Sequence, residues 1–170
     1  LPLFADQGVA VVAGRATAQW QPGALNLAGK VVVAHRERIY VVVQRLVKYG
    51  QALSALDAIN IAPGFASMYR SRVLAAVDMN PPGLVIEDFN MTFEVYQKRL
   101  GKVAFSLSAI AVTQDPDTFH DYVKQTRRWA LGFWQTVRRH RLRANLFSAM
   151  LLLLLLELVT SSLIFLILPV

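Results

Sequence analysis

Cysteine is absent from the chain, so neither a disulfide framework nor a thiolate metal site is available, and the redox compartment stays open. The first residues hold no basic segment followed by an apolar core and a small-residue cleavage site, and no signal peptide is read from them. Position 1 is Leu rather than Met, so a portion of a longer chain is the expectation. Acidic residues are missing over one long stretch. Between Tyr122 and Leu156 there is no Asp or Glu, while Lys124, Arg127, Arg128, Arg138, Arg139, Arg141 and Arg143 all fall there. These seven cations account for the whole formal charge of +7, because the rest of the chain carries eleven bases against eleven acids. Carboxylates are also scarce at the start, where Asp6 is the only Asp or Glu before Glu37. Internal repeats and low-complexity segments are absent apart from one run of leucines.

What is present in excess is apolar. At 170 residues the chain suits one ordinary domain with an appendage, and its 55% hydrophobic content exceeds what a soluble domain needs. The excess collects after Asn145, with six leucines at Leu151 to Leu156 and a single charge at Glu157. A helix crosses a bilayer with about 20 apolar residues, so a transmembrane helix is expected over residues 144–170. The cationic cluster abuts that run, which fits anchoring at the cytoplasmic leaflet better than nucleic-acid binding. The expected location is the cell membrane, multi-pass in the complete protein, with the rest of the chain on the cytoplasmic side and membrane lipids rather than nucleic acid as a partner.

The pattern before that run alternates strands and helices. Residues 9–13 read as a buried strand closed by Gly14. Ile39, Val42, Val43, Leu46 and Val47 fall at helical spacing with Arg36, Arg38, Arg45 and Lys48 between them, predicting a helix that ends near Leu56. Residues 59–62 read as a second strand stopped by Pro63-Gly64, followed by helical residues 65–76. Residues 84–86 read as a third strand. A helix is predicted over 89–100 with Gly101 as its C-terminal cap, then a strand over 103–112. Thr118, with Asp121 three residues on, forms a variant capping box that opens a helix running to about His140. The expected class is α/β, with residues 1–117 as the main domain, 118–143 as a basic amphipathic interface helix and 144–170 as the membrane helix.

Candidate chemistry sits at four places. Glu87-Asp88 follows a strand candidate and opens a helix, a position from which side chains project into the ligand crevice of α/β sheets. A carboxylate there can act as a general base; Asp88 as a plain helix cap is the alternative. Gln125, Arg128 and Trp129 share one helical face. An amide, a phosphate-gripping guanidinium and an indole whose flat face suits a sugar ring make a sensible kit for a nucleotide sugar and its acceptor, although a membrane-surface helix explains them too. Gly64 and Phe65 follow Pro63 where backbone can approach a ligand; a plain joint would instead bury Met68 and solvate Arg70. Asp115-Pro116-Asp117 reads as a turn and helix start, and His120 and His140 lack ligand spacing, so no metal ligands are assigned.

In this order the pieces resemble the membrane-bound family 2 glycosyltransferases, the group of cellulose, hyaluronan and poly-N-acetylglucosamine synthases. The resemblance rests on Pro63-Gly64-Phe65 with Tyr69-Arg70, Glu87-Asp88, Leu100-Gly101, Asp115-Pro116, and Gln125-Thr126-Arg127-Arg128-Trp129 with Gly132. It implies a partial GT-A-type domain and an inverting transfer from a nucleotide sugar, UDP-N-acetylglucosamine or UDP-glucose, to a polysaccharide or lipid-linked acceptor. Asp88 would be the base, supported by Glu87. Gln125 and Arg128 would meet diphosphate and acceptor, Trp129 would stack on the terminal sugar, and Gly64 and Phe65 would contact substrate. The family's Mg²⁺ or Mn²⁺ is implied for the complete enzyme, but its D-x-D ligands do not appear before Glu87, so this chain alone is expected to be inactive.

Overall fold

The computed structural model describes residues 2–19, 21–52, 57–153 and 155–156. Its centre is β1 (Val9–Ala18), whose residues 9–14 are all buried, as expected for a strand covered on both faces. The strand does not stop at Gly14 but continues to Ala18, because β3 (Lys102–Thr113) runs parallel to it over that whole length. On its other edge β1 pairs antiparallel with β2 (Ser67–Tyr69), giving the order β2-β1-β3. The expected β3 is found. The helix expected over 65–76 is not: Gly64–Ala66 is a 3-10 turn, 67–69 is the edge strand, and only α3 (Ser71–Leu74) is helical. Pairing with the free edge of β1 wins over local helical propensity. The strand pairing also reverses the side chains of a plain joint, leaving Met68 exposed and folding Arg70 back onto the carbonyls of Val9, Phe4 and Asp6 at 2.6 to 2.9 Å.

The first long helix begins earlier than its apolar spacing suggested. α1 (Leu27–Val42) passes into a π-helical stretch, Val43–Lys48, and closes as α2 (Tyr49–Gln51); the part of the expected helix at 53–56 lies outside the described residues. Two of its basic residues face inward, since Arg36 is 2% and Lys48 6% exposed.

Neither 59–62 nor 84–86 forms a strand. Their backbone donors go to helix side chains instead of to a neighbouring strand. The N–H of Ile59 donates to the Tyr96 hydroxyl, that of Ala62 to Thr92 Oγ1, and that of Val85 to Gln135 Oε1. α4 (Glu87–Gln97) therefore starts two residues before the expected Phe89, with extended Ile86 as its N-cap. Its C-terminus is turned by Arg99 at φ 53°, not by Gly101, and the N–H of Leu100 returns to the Val95 carbonyl. Gly101 serves the sheet instead: at φ 136°, a Cβ there would lie 2.5 Å from the Gly8 carbonyl.

α5 (Phe119–His140) is capped as the sequence indicates, Thr118 Oγ1 accepting from the Asp121 N–H. It packs on α1 and α4 through Tyr122, Gln125, Trp129, Gly132, Phe133, Thr136, Val137 and His140, a single helical stripe. Its end is fastened to α4 by the His140 ring, whose nitrogens lie 3.0 Å from Gln97 Oε1 and 2.7 Å from Asn90 Oδ1. Residues 146–153 are helical, and Phe147 and Leu151 bury against Phe93 and Tyr96 of α4. Most of the expected membrane helix, 157–170, lies outside the described residues. Among the described residues no helix is long and apolar enough to cross a membrane.

Gly132 sets the spacing between α5 and the start of α4. A Cβ at this position would meet Ile86 Cβ at 2.7 Å and Cγ1 at 2.8 Å, atoms too close to the backbone to swing away. Gly→Ala inside a helix ordinarily stabilises by about 1 kcal/mol. At Gly132 overpacking of about 1–3 kcal/mol opposes that gain, so Gly132→Ala is expected to lower the thermal midpoint; a raised midpoint would show that the contact is soft.

Candidate active site

A cavity of about 690 Å³ opens beside the start of α4. Its wall is made by Tyr40, Gln44 and Lys48 from the first helix, by Pro63, Gly64 and Phe65, by Glu87 and Asp88, by Thr113 to Asp115 after β3, and by Gln125, Arg128 and Trp129 of α5. Every candidate site residue from the sequence, Glu87, Asp88, Gly64, Phe65, Gln125, Arg128 and Trp129, lines this one cavity. A second hollow of about 380 Å³, formed by Phe4, Tyr69, Arg70, Ser71 and Arg72, contains no carboxylate.

Asp88 is held at the helix N-terminus, where unsatisfied amides favour negative charge. Its Oδ1 accepts from the Phe89 N–H at 2.9 Å and its Oδ2 from the Gly64 N–H at 3.4 Å. The 62–64 loop is fixed over it by the Ala62 to Thr92 bond, and Thr92 Oγ1 also donates to the Asp88 carbonyl. Burial raises the Asp88 carboxyl above the ordinary carboxylate value; the two amide bonds oppose the shift, and the charge of Glu87 adds to it. A carboxylate raised in this way, facing a cavity, is suited to accept a proton.

The opposite wall is organised by a residue that local patterning places in solvent. Arg36 of α1 is buried, with its guanidinium 4.2 Å from the centre of the Trp129 ring, 5.5 Å from Tyr122 and 5.6 Å from Tyr40. It donates to Gln125 Oε1 and pairs with Asp115, Nε lying 3.5 Å from Oδ1, both side chains 3% exposed. Tyr40 donates to the same Asp115 oxygen at 2.7 Å. Burial first, then the bond to Asp115, pushes the Tyr40 phenol up to about 12, so it stays a donor. Asp115 is thus a buried anchor as well as a turn residue. With Oε1 spent on Arg36, Gln125 keeps its amide NH₂ for a ligand, and Trp129 presents to the cavity what Arg36 does not cover.

The family-implied divalent metal does not fit the residues at hand. Asp115 is engaged by Arg36 and Tyr40, Asp88 by backbone amides, and among the described residues no three His, Cys, Asp or Glu side chains gather as a metal site. His120 is exposed and His140 is taken up by α4.

Sequence reasoning missed Arg36, Tyr40, Gln44 and Lys48. The only local signal was the interleaving of basic and apolar residues in one helix, which amphipathic periodicity reads as a solvated face.

A family model, glycosyl transferase family group 2, matches residues 3–170. No curated protein matches the chain.

Removing one member of a buried ion pair strands the other and costs about 3–5 kcal/mol. Arg36→Met is therefore expected to lose stability in that range by chemical denaturation. Arg36→Lys should recover little of it, because a point charge replaces a planar fork that meets Gln125, Asp115 and three rings together. A loss below about 1 kcal/mol for Arg36→Met, the level of an exposed pair, would show that Arg36 does not organise this wall.

Proposed function

Because the chain belongs to glycosyl transferase family group 2 and is a glycosyltransferase by that membership, we propose that its cavity performs the acceptor side of an inverting sugar transfer. An acceptor hydroxyl attacks the anomeric carbon of a nucleotide sugar, the bond to the diphosphate breaks, and the hydroxyl proton passes to Asp88. Glu87 supports Asp88. Arg128 and the free amide of Gln125 meet diphosphate and acceptor, Trp129 and Phe65 flank the acceptor sugar, and Gly64 keeps its amide on the base. The observation that carries this reading is the convergence on one cavity of a carboxylate raised by burial and an amide, guanidinium and indole from α5.

Within this reading the enzyme is a polysaccharide synthase of the cellulose, hyaluronan or poly-N-acetylglucosamine kind, using UDP-N-acetylglucosamine or UDP-glucose at the cytoplasmic face of the cell membrane. Support for a membrane surface comes from the outer side of α5. Phe119, Val123, Leu131 and Trp134 are exposed and fall within about 120° of the helix circumference together with Arg127 and Arg138, the mix of apolar and cationic side chains that lies in a headgroup layer. No step is assigned to a metal.

Two outcomes test the proposal. In the complete enzyme Asp88→Asn keeps the shape and removes the proton acceptor, so turnover should fall by about 10² to 10⁴-fold with donor affinity retained; turnover within a few-fold of wild type rejects Asp88 as the base. The same variant separates function from stability. A folded-state value raised above the unfolded one contributes stability that is present below the unfolded value and lost as pH rises through the folded value. At neutral pH Asp88→Asn should therefore melt at or above wild type, with the difference shrinking as pH falls into the carboxylate range. Separately, neutralising Arg138, Arg139, Arg141 and Arg143 together should reduce membrane association while leaving transfer by correctly inserted protein near wild type. Loss of catalysis in inserted protein contradicts that division of labour.

A further inference from the structure

Lys48 is a buried cation with no partner anion among the described residues. Its side chain is 6% exposed and lines the cavity that holds Asp88 and Arg128. Among the described residues no carboxylate lies within ion-pair distance of its ammonium, and it donates no hydrogen bond. The aromatic ring of Phe105, 5.7 Å away, offsets only a small part of the cost of taking an ammonium out of water. Asp88 attracts it without reaching it, and burial, partly offset by that attraction, lowers the ammonium to about 8, still charged at neutral pH.

The backbone holds this arrangement deliberately in place. Lys48 ends the π-helical stretch Val43–Lys48, a form found mostly as short insertions within α-helices and frequently at functional sites. Gln44, one turn before it, is buried and bonded through both amide atoms to the Ala16 backbone, at 2.7 and 3.3 Å. The turn that carries Lys48 is therefore pinned to β1, and its ammonium is fixed at the cavity wall. A compact ammonium in that setting is a point-charge phosphate binder, complementary to a forked guanidinium such as Arg128 on α5.

Building on the glycosyltransferase reading, we propose that Lys48 binds the diphosphate of the donor and stays paired with the nucleoside diphosphate as it departs. The charge left unpaired among the described residues is then neutralised by substrate, and the two cavity cations divide the work, Lys48 from the first helix and Arg128 from α5.

The test uses Lys48→Met and Lys48→Gln in this chain, titrated calorimetrically with inorganic pyrophosphate and with UDP, alongside thermal midpoints, and in the complete enzyme for transfer assays. Replacing an unpaired buried charge with a neutral side chain does not destabilise, so both variants should melt at or above wild type while binding pyrophosphate and UDP at least tenfold more weakly. Should Lys48→Met fail to fold, Lys48→Gln carries the measurement. Wild-type affinity in the variants overturns the assignment. A fall of several degrees in midpoint with affinity retained also overturns it, and assigns Lys48 to holding Asp88. A complete enzyme, its D-x-D segment included, that transfers no sugar from any nucleotide sugar, while this chain binds pyrophosphate through Lys48, rejects the parent reading and leaves the anion site standing.

Discussion

The buried guanidinium of Arg36 is the interaction on which the site depends. Carried by α1, it sits where α5 and the turn after β3 converge on that helix: α5 reaches it with an indole, a phenol ring and the Gln125 amide, the turn with the Asp115 carboxylate, and α1 itself with the Tyr40 ring. A charge so placed is tolerable only when it is paired and packed, and here the Asp115 carboxylate, the Gln125 amide and the rings do that, although Nε itself makes no hydrogen bond. The requirement fixes the rotation of α5 and the rotamers of Gln125 and Trp129 before any ligand arrives. Gly132 adds the second constraint, letting α5 approach Ile86 closely, so that the face bearing Gln125, Arg128 and Trp129 stands opposite Glu87-Asp88. Preorganisation of this sort is what turns a set of side chains into a site.

The charges around the cavity fall into two groups. Arg36 and Asp115 neutralise one another and are structural. Asp88, Lys48 and Arg128 line the cavity: Asp88 has a carboxyl raised by burial, and Lys48 has no carboxylate within ion-pair distance among the described residues. A buried, unpaired charge is expensive in a fold with small net stability, and perturbed ionisable groups gathered in one cavity mark it as a functional-site candidate.

The sequence made the candidate site more legible than the fold around it. The shared face of Gln125, Arg128 and Trp129 follows from offsets of three and four within a helix whose Thr118 start and His140 end were both readable. Strand β3 was visible in its length. The segments at 59–62 and 84–86 were misread as strands because short apolar runs between breakers look alike whether a neighbouring strand or a helix side chain accepts their N–H groups; Tyr96, Thr92 and Gln135 are distant in sequence and carry no local mark. Residues 67–69 were misread for the opposite reason, since the β1 edge that recruits them is more than 50 residues away. Arg36 and Lys48 were invisible as inward residues because periodicity assigns charges outward, and only tertiary contacts with Trp129, Asp115 and the cavity reverse that assignment.

The central claim is that Asp88, raised by burial and by its neighbour Glu87, takes the acceptor proton. It is tested most directly by the pH dependence of kcat in the complete enzyme, wild type and Glu87→Gln. The account predicts an acid limb in the wild type above the ordinary carboxylate value of about 4, because the charge of Glu87 adds to the effect of burial. In Glu87→Gln the limb should move to lower pH, with activity retained on its alkaline side. A wild-type limb at or below the ordinary value, or one that stays in place when Glu87 loses its charge, would contradict the assignment of Asp88 as the base.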